Sequence, residues 1–192
     1  MCIRDSRQVA PRALDVDIEL PGGRRLTGTI TPVYGDRLVA VGYSKLDGKH
    51  LLESWVRLLA LAAGHPDHNW TALTIGRAQH GTQPAQRLLG PAAAEPLGLL
   101  ADLVDLYDEG RRAPLQLPLK TSFAWASAER LARPPKPEAI KKWKTSRYPG
   151  EDADPAHVRV WGEHADLDRL TRLGELAERL WLPLLRSERG PL

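Results

Sequence analysis

The sequence is nearly without sulfur: its 192 residues include one cysteine, Cys2, and one methionine, Met1. A lone thiol excludes an intrachain disulfide framework and the multi-thiolate sets that hold structural zinc or iron–sulfur clusters. A reducing cytoplasm is the expected compartment. No apolar run reaches the roughly 20 residues that cross a bilayer, and no charged-then-apolar leader opens the chain, so no membrane contact is expected. A glycine-rich loop ending in Lys-Ser or Lys-Thr is also missing, which excludes P-loop nucleotide binding in this stretch. Ser44, Lys45 and Ser54 have no assembled His and Asp partners, so no hydrolase triad is expected. In His65-Pro66-Asp67-His68 a proline separates two loop histidines, a poor metal site. Asp102, Asp105, Asp108 and Glu109 read as a solvated helix face. No cofactor is implied.

What is present is ordinary in bulk and uneven in detail. Hydrophobic residues make up 42% and charged residues 27%, as in a globular domain long enough to bury a substantial core. The formal charge is +3, but its distribution matters more. Residues 1–110 carry 11 Lys and Arg against 13 Asp and Glu, and residues 149–192 carry 6 against 9. Residues 111–148 carry 10 against 2. Met1 to Ser6 resemble a translated sequencing-adapter scar and are set aside. The expectation is a C-terminal piece of a longer protein, with a core at residues 7–110 and a basic connector and helical part of the same domain at 111–192.

Ala13 to Leu20 alternates apolar and acidic residues, the pattern of a strand with one wet face. Pro21-Gly22-Gly23 is a turn signal. Arg25–Val33 and Leu38–Tyr43 continue an antiparallel meander through the connection at Tyr34-Gly35-Asp36-Arg37. Lys49 to Ala63 is the clearest helix: Leu51, Leu52, Trp55, Leu58, Leu59, Ala62 and Ala63 share one face, and Gly64 is the expected C-cap. Trp70–Ile75 reads as a further strand, reached by a crossover. Pro84–Pro96 reads as loop or short helix. Leu97–Glu109 reads as a helix with Leu97, Leu100, Val104 and Tyr107 inward. Thr121–Leu131 is expected as a helix. Pro134-Pro135-Lys136-Pro137 is expected to break it, before a short basic helix at Glu138–Trp143. Pro149–Pro155 reads as an acidic loop, Val158–Gly162 as a strand, and Leu167–Leu182 as the last helix.

The basic stretch holds Arg111, Arg112, Lys120, Arg130, Arg133, Lys136, Lys141, Lys142, Lys144 and Arg147, interleaved with Trp125, Trp143 and Tyr148. Cations neutralise phosphates and release counterions, while aromatic faces stack on unpaired bases. The same surface suits an acidic protein partner, and composition does not choose between them. Trp143 has two readings, a base-stacking side chain or a core anchor of its short helix.

The frame Gly28-x-Ile30, then Val41-x-Tyr43, then a Trp- and Leu-rich helix resembles the core of the PD-(D/E)xK nucleases. That superfamily carries Gly-x-Ile-Asp on one strand and Asp/Glu-Tyr-Lys on the next. Here Thr31 stands at the first acid, Gly42 at the second and Ser44 at the lysine. Hard cations need anionic oxygen ligands, so the frame is present and the metal ligands are not. Longer blocks narrow the resemblance. Tyr43-Ser44-Lys45-Leu46, the helix from His50 to Ala63, Leu106-Tyr107-Asp108-Glu109-Gly110, Pro114-Leu115-Gln116-Leu117-Pro118 and Lys120-Thr121-Ser122-Phe123-Ala124-Trp125 are together similar to the C-terminal domain of RecC. That family supplies the gamma subunit of exodeoxyribonuclease V.

The resemblance implies an α/β fold with a degenerate restriction-endonuclease-like core: antiparallel meander, crossover helix, further strand, then a helical, basic C-terminal part. It implies a non-catalytic role in double-strand break repair, handling single-stranded and forked DNA beside RecB-like and RecD-like subunits in a heterotrimer. Two other functions stay open. A stand-alone nuclease would need relocated acids, of which Asp36 and Asp47 are nearest. A protein-interaction module would use the basic stretch against an acidic partner.

Overall fold

A computed structural model describes residues 10–91 and 95–189. Met1–Ser6, read above as an adapter scar, lie outside the described residues. The chain is an α/β fold with a mixed six-stranded sheet and, among the described residues, six α-helices. It forms two compact units. One holds the residues up to Val104 together with those from Ser187; the other is Asp105–Arg186. The boundary thus falls inside a helix, earlier than residue 110, and the end of the chain returns to the first unit.

The first unit is the sheet and its helix. Strand β1, Arg12–Leu20, buries Val16, Ile18 and Leu20 and exposes Asp15, Asp17 and Glu19, so the alternation sets the two faces. Gly22 and Gly23 turn the chain at φ +82° and +73°, a conformation that costs glycine least. Strand β2, Arg24–Tyr34, returns antiparallel to β1. Across the wet face Arg25 pairs with Asp17, and the Thr29 hydroxyl donates to Asp15 at 2.6 Å. Strand β3, Arg37–Lys45, follows in an antiparallel hairpin.

Helix α1, Gly48–Gly64, carries the chain back to β4, Thr71–Arg77, which pairs parallel to β3. Leu51, Trp55, Leu58 and Leu59 are buried on α1; each such side chain contributes about 1.5–3 kcal/mol by leaving water. Ser54, buried on the same face, shares a hydrogen bond of 2.8 Å with Thr74 of β4. Leu52, Ala62 and Ala63 are half-buried. Gly64 is the last helical residue and His65 is the C-cap. A Cβ on Gly64 would meet the Val16 side chain at 3.2 Å, so this glycine lets α1 approach β1.

Residues 84–89 form a strand, β5, Pro84–Leu89, instead of the expected loop or short helix. Its composition is weakly strand-forming. The ladder with β4, running from Ala72 opposite Leu89 to Arg77 opposite Pro84, supplies what propensity does not. The sheet closes at β6, Glu188–Arg189, beside β5, where Arg87 pairs with Glu188.

Helix α2, Pro96–Arg112, contains the boundary between the units. Its buried residues include Leu100, Ala101 and Leu106, whereas Leu97 and Tyr107, expected inward, are exposed. The second unit is helical: α3, Leu119–Arg130; α4, Pro135–Trp143; α5, Pro155–Trp161; and α6, Leu173–Ser187, whose last residue belongs to the first unit. Short 3₁₀ turns cover Glu151–Ala153 and Leu167–Arg169. Three expectations are corrected in this unit, the first being that the last helix starts at Leu173 and not at Leu167, since Leu167–Arg169 is a separate 3₁₀ turn. The proline cluster does not delay α4 to Glu138. Prolines in the first turn lack N–H groups that have no helical acceptor there anyway, so α4 starts at Pro135. Val158–Gly162 is helix and coil, not strand. Asp154 caps α5 by accepting the Ala156 N–H at 2.9 Å, Pro155 opens the helix, and Gly162 ends it at φ +91°.

The core of this unit gathers Ala139, Trp143, Ala165, Leu167, Leu170 and Leu173, with Trp125, Ile140 and Trp161 packed against it. Beside it Trp181 of α6 donates to the Ser122 hydroxyl at 2.9 Å and meets Phe123 edge-on at 5.0 Å between centroids.

Candidate functional site

Two places in the fold bear on chemistry, one in each unit. In the first unit β2 and β3 pair at only two positions, Val33 opposite Leu38 and Tyr34 opposite Arg37. Beyond them a groove of about 430 Å³ lies along β3, lined by residues that include Pro32, Tyr34, Val41, Gly42, Ser44 and His50. Gly42 and Ser44, two of the positions compared above with the nuclease pattern, are among its lining residues. Thr31, the third position of that comparison, sits exposed on β2 next to Pro32. The acid lining this groove is Glu53 of α1, and Arg57 one turn on holds it at 2.7 Å. Among the described residues no group of three His, Cys, Asp or Glu side chains is placed to hold a metal ion.

The two acids considered as relocated ligands are apart. Asp36 lies in the β2–β3 turn, 2.9 Å from a ring nitrogen of His68. Asp47 is the N-cap of α1, with its carboxylate 2.8 Å from the His50 ring. The whole of β3 lies between them along the chain, on the order of 30 Å at the strand rise. Each is also held by a histidine at its own end of the strand.

In the second unit the basic residues are outward. Arg111, Arg112, Lys120, Lys136, Lys141, Lys142, Lys144 and Arg147 are all exposed. Lys136 pairs with Asp168 at 2.6 Å and Lys141 with Glu138 at 2.5 Å. Among the described residues no carboxylate pairs with Lys142, Lys144 or Arg147. The Glu138 carboxyl is held below its ordinary value, first by the hydrogen bond from Lys141 and further by the surrounding cations.

The aromatics divide differently. Trp143 has no exposed surface, and its indole N–H donates to the Ala165 carbonyl at 2.7 Å inside the core. Trp143 is the anchor of α4 and is not available to stack on a base. Trp125 is half-buried on α3, with its ring at the small face of Gly174. The exposed aromatic rings of this unit are Tyr107, 65% exposed, and Tyr148, 72% exposed. Each has an arginine over it, Arg111 at 5.9 Å and Arg147 at 5.8 Å from the ring centroid.

Two buried acids, read from the sequence only as part of an acidic loop, organise this surface from below. Glu151 accepts the N–H groups of Lys120 and Thr121 at 2.9 and 2.8 Å. These are first-turn donors of α3, whose own N-cap is Pro118 and offers no capping side chain. Asp152 accepts both the N–H and the hydroxyl of Thr145, at 2.8 and 2.5 Å, and its other oxygen lies 3.6 Å from His164. Burial alone would raise the Asp152 carboxyl, but the hydrogen bonds from Thr145, with the His164 contact, hold it below its ordinary value. The signal for Glu151 was present in the sequence: a helix opening on proline needs an acceptor from elsewhere.

The sequence profile of the RecC C-terminal domain matches residues 3–130, about two thirds of the chain. This chain belongs to the RecC C-terminal domain family. The RecBCD enzyme subunit RecC of Mycolicibacterium smegmatis is 55% identical over 95% of the chain, and that of Mycobacterium tuberculosis is 50% identical over 92%. The match covers 18% and 17% of those two proteins, so the chain spans under a fifth of the length of these RecC relatives. The family profile covers the β2–β3 groove and α3, and the two alignments extend the likeness over most of what remains. Among the described residues no helix is long and apolar enough to cross a membrane.

Proposed function

We propose that this chain is a non-catalytic DNA-handling and assembly domain within a RecC-type subunit. That subunit would work with RecB-like and RecD-like partners in a helicase–nuclease that processes double-strand breaks, and its setting would be the cytoplasm. The identity to proteins named as RecBCD enzyme subunits supports the assembly, and the second unit's cations support contact with DNA or with a partner subunit. The observation that carries the non-catalytic part is the groove beside β3. A degenerate PD-(D/E)xK core accounts for its place in the sheet, and Thr31, Gly42 and Ser44 account for its lack of ligands. Phosphodiester cleavage of that type needs a metal to activate water and to stabilise the leaving oxygen. One carboxylate already paired with Arg57 does not hold one.

The purified chain is expected to leave linear DNA intact in Mg²⁺ or Mn²⁺. Cleavage abolished by Glu53→Gln, Asp36→Asn or Asp47→Asn would overturn the non-catalytic assignment and restore the stand-alone nuclease.

For the basic surface the expected result is salt-dependent DNA binding. Replacing Lys141, Lys142 and Lys144 together with glutamine should weaken binding and flatten its salt dependence. Every phosphate that a lysine no longer neutralises takes about 0.7–0.9 off the slope of log affinity against log salt. An unchanged slope would place these lysines away from the phosphates.

A further inference from the structure

We propose that the loop at residues 144–150 is a stacking platform for an unpaired base of single-stranded nucleic acid, with Tyr148 as the platform and Lys142, Lys144 and Arg147 on the phosphates. The proposal rests on the DNA-handling reading above and names the strand type and the residues.

The loop carries an exposed aromatic on a backbone held from within. The buried Asp152 carboxylate takes both polar hydrogens of Thr145, and the Thr145 hydroxyl oxygen in turn accepts the Gly150 N–H at 3.0 Å. The Ser146 N–H donates to the Tyr148 carbonyl at 3.1 Å, which tightens the turn. A Cβ at Gly150 would collide with the Trp143 carbonyl oxygen and the Lys144 backbone, so the loop closes directly on the anchored end of α4. A platform fixed before binding loses little conformational freedom when a base arrives. Base–aromatic stacking strengthens binding by about tenfold per base without regard to sequence.

Charge selects the ligand and selects this tyrosine over the other exposed one. Lys142, Lys144 and Arg147 have no carboxylate within ion-pair distance among the described residues; Lys142 acts on Glu138 only from farther off, and Arg147 lies over the Tyr148 ring, so all three can reach the phosphates that flank a stacked base. Tyr107 also lies under an arginine, but two acids, Asp108 and Glu109, follow it directly on α2, and Glu109 already engages Arg172 and Arg179, so that surface offers phosphates fewer available cations. In a duplex the bases are stacked on one another and offer no free face. Tyr148 therefore discriminates single strand from duplex, while the cations serve both.

The test is fluorescence anisotropy of the full chain with labelled oligothymidylate and with a duplex of equal length, at low salt. Tyr148→Ala is expected to weaken oligothymidylate binding about tenfold and to leave duplex binding within about twofold, with single-strand affinity kept by Tyr148→Phe. Tyr107→Ala should change neither. Equal affinity of Tyr148→Ala and wild type for oligothymidylate would overturn the platform, and loss of binding in the triple-lysine variant would then leave the DNA surface standing. Equal loss on single strand and duplex would also overturn it. No binding of either nucleic acid by the wild-type chain would remove both readings. Binding of poly-L-glutamate as tight as that of oligothymidylate would assign the face to an acidic protein and overturn the proposal. Because Tyr148 is exposed, an unchanged circular dichroism spectrum is expected for its variants and separates lost stacking from lost fold.

Discussion

Trp143→Ala is expected to destabilise the helical unit by about 3–5 kcal/mol, the range for truncating a buried tryptophan. The indole has no exposed surface, it stands in the cluster with Leu167, Leu170 and Leu173, and its N–H has a buried partner in the Ala165 carbonyl. Removing it leaves a cavity and an unpaired carbonyl at once. Trp143→Phe should cost less, because the ring still fills most of the space while the hydrogen bond is lost. Urea unfolding followed by far-UV circular dichroism measures both. A surface tryptophan kept for base stacking would give a change within about 0.5 kcal/mol on truncation. A change that small would remove Trp143 from the core and return it to the DNA-binding set.

The same residue shows how far the sequence reaches. Helical spacing in α1 made Leu51, Trp55, Leu58 and Leu59 legible as buried but missed Ser54, Ala60 and Leu61, while strict alternation gave both faces of β1. Trp143 was not legible, because it is the last residue of a nine-residue helix with Lys141 and Lys142 before it and Lys144 after it, and periodicity over two turns does not tell an anchor from an exposed aromatic. What decided it were Ala165, Leu167 and Leu170, distant in sequence and adjacent in space. β5 was invisible for a related reason: Pro84-Ala85-Gln86-Arg87 has no strand pattern of its own, and its hydrogen bonds come from β4. α5 was a different failure. Asp154, Pro155 and Gly162 are a cap, a first-turn proline and a stop signal, and they outweigh the alternation of Val158 and Val160.

At the candidate sites the division is similar. That Thr31, Gly42 and Ser44 offer no anionic oxygen can be read from residue types alone. The opposite placement of Asp36 and Asp47 needed only that β3 run between them. The exposed role of Tyr148, the pairing of Lys136 and Lys141 and the buried acids beneath the loop needed the fold, because each depends on partners from another element.

The acid beneath the loop has the second large effect. Asp152→Ala is expected to lower stability by about 1–2 kcal/mol, since it strips two charge-assisted hydrogen bonds from Thr145, whose N–H is only partly shielded from water. It should also release the 144–150 loop, so oligothymidylate binding weakens even though no cation or ring is removed. Asp152→Asn keeps an oxygen for Thr145 and loses only the charge, so its cost is smaller and depends on pH. The sign follows from the carboxyl being held below its ordinary value of 3.8 by Thr145 and His164 against the opposing effect of burial. Above that value the folded and unfolded chains both carry the carboxylate, and its stabilisation is complete. As pH falls below it the unfolded chain takes up the proton first, and the stabilisation is lost through the lowered folded value. The stability gap between wild type and Asp152→Asn should therefore close as pH falls below about 4. Chemical denaturation across that range reads it directly. A gap that stayed open well below that value would mean that Thr145 is not held through the charged carboxylate.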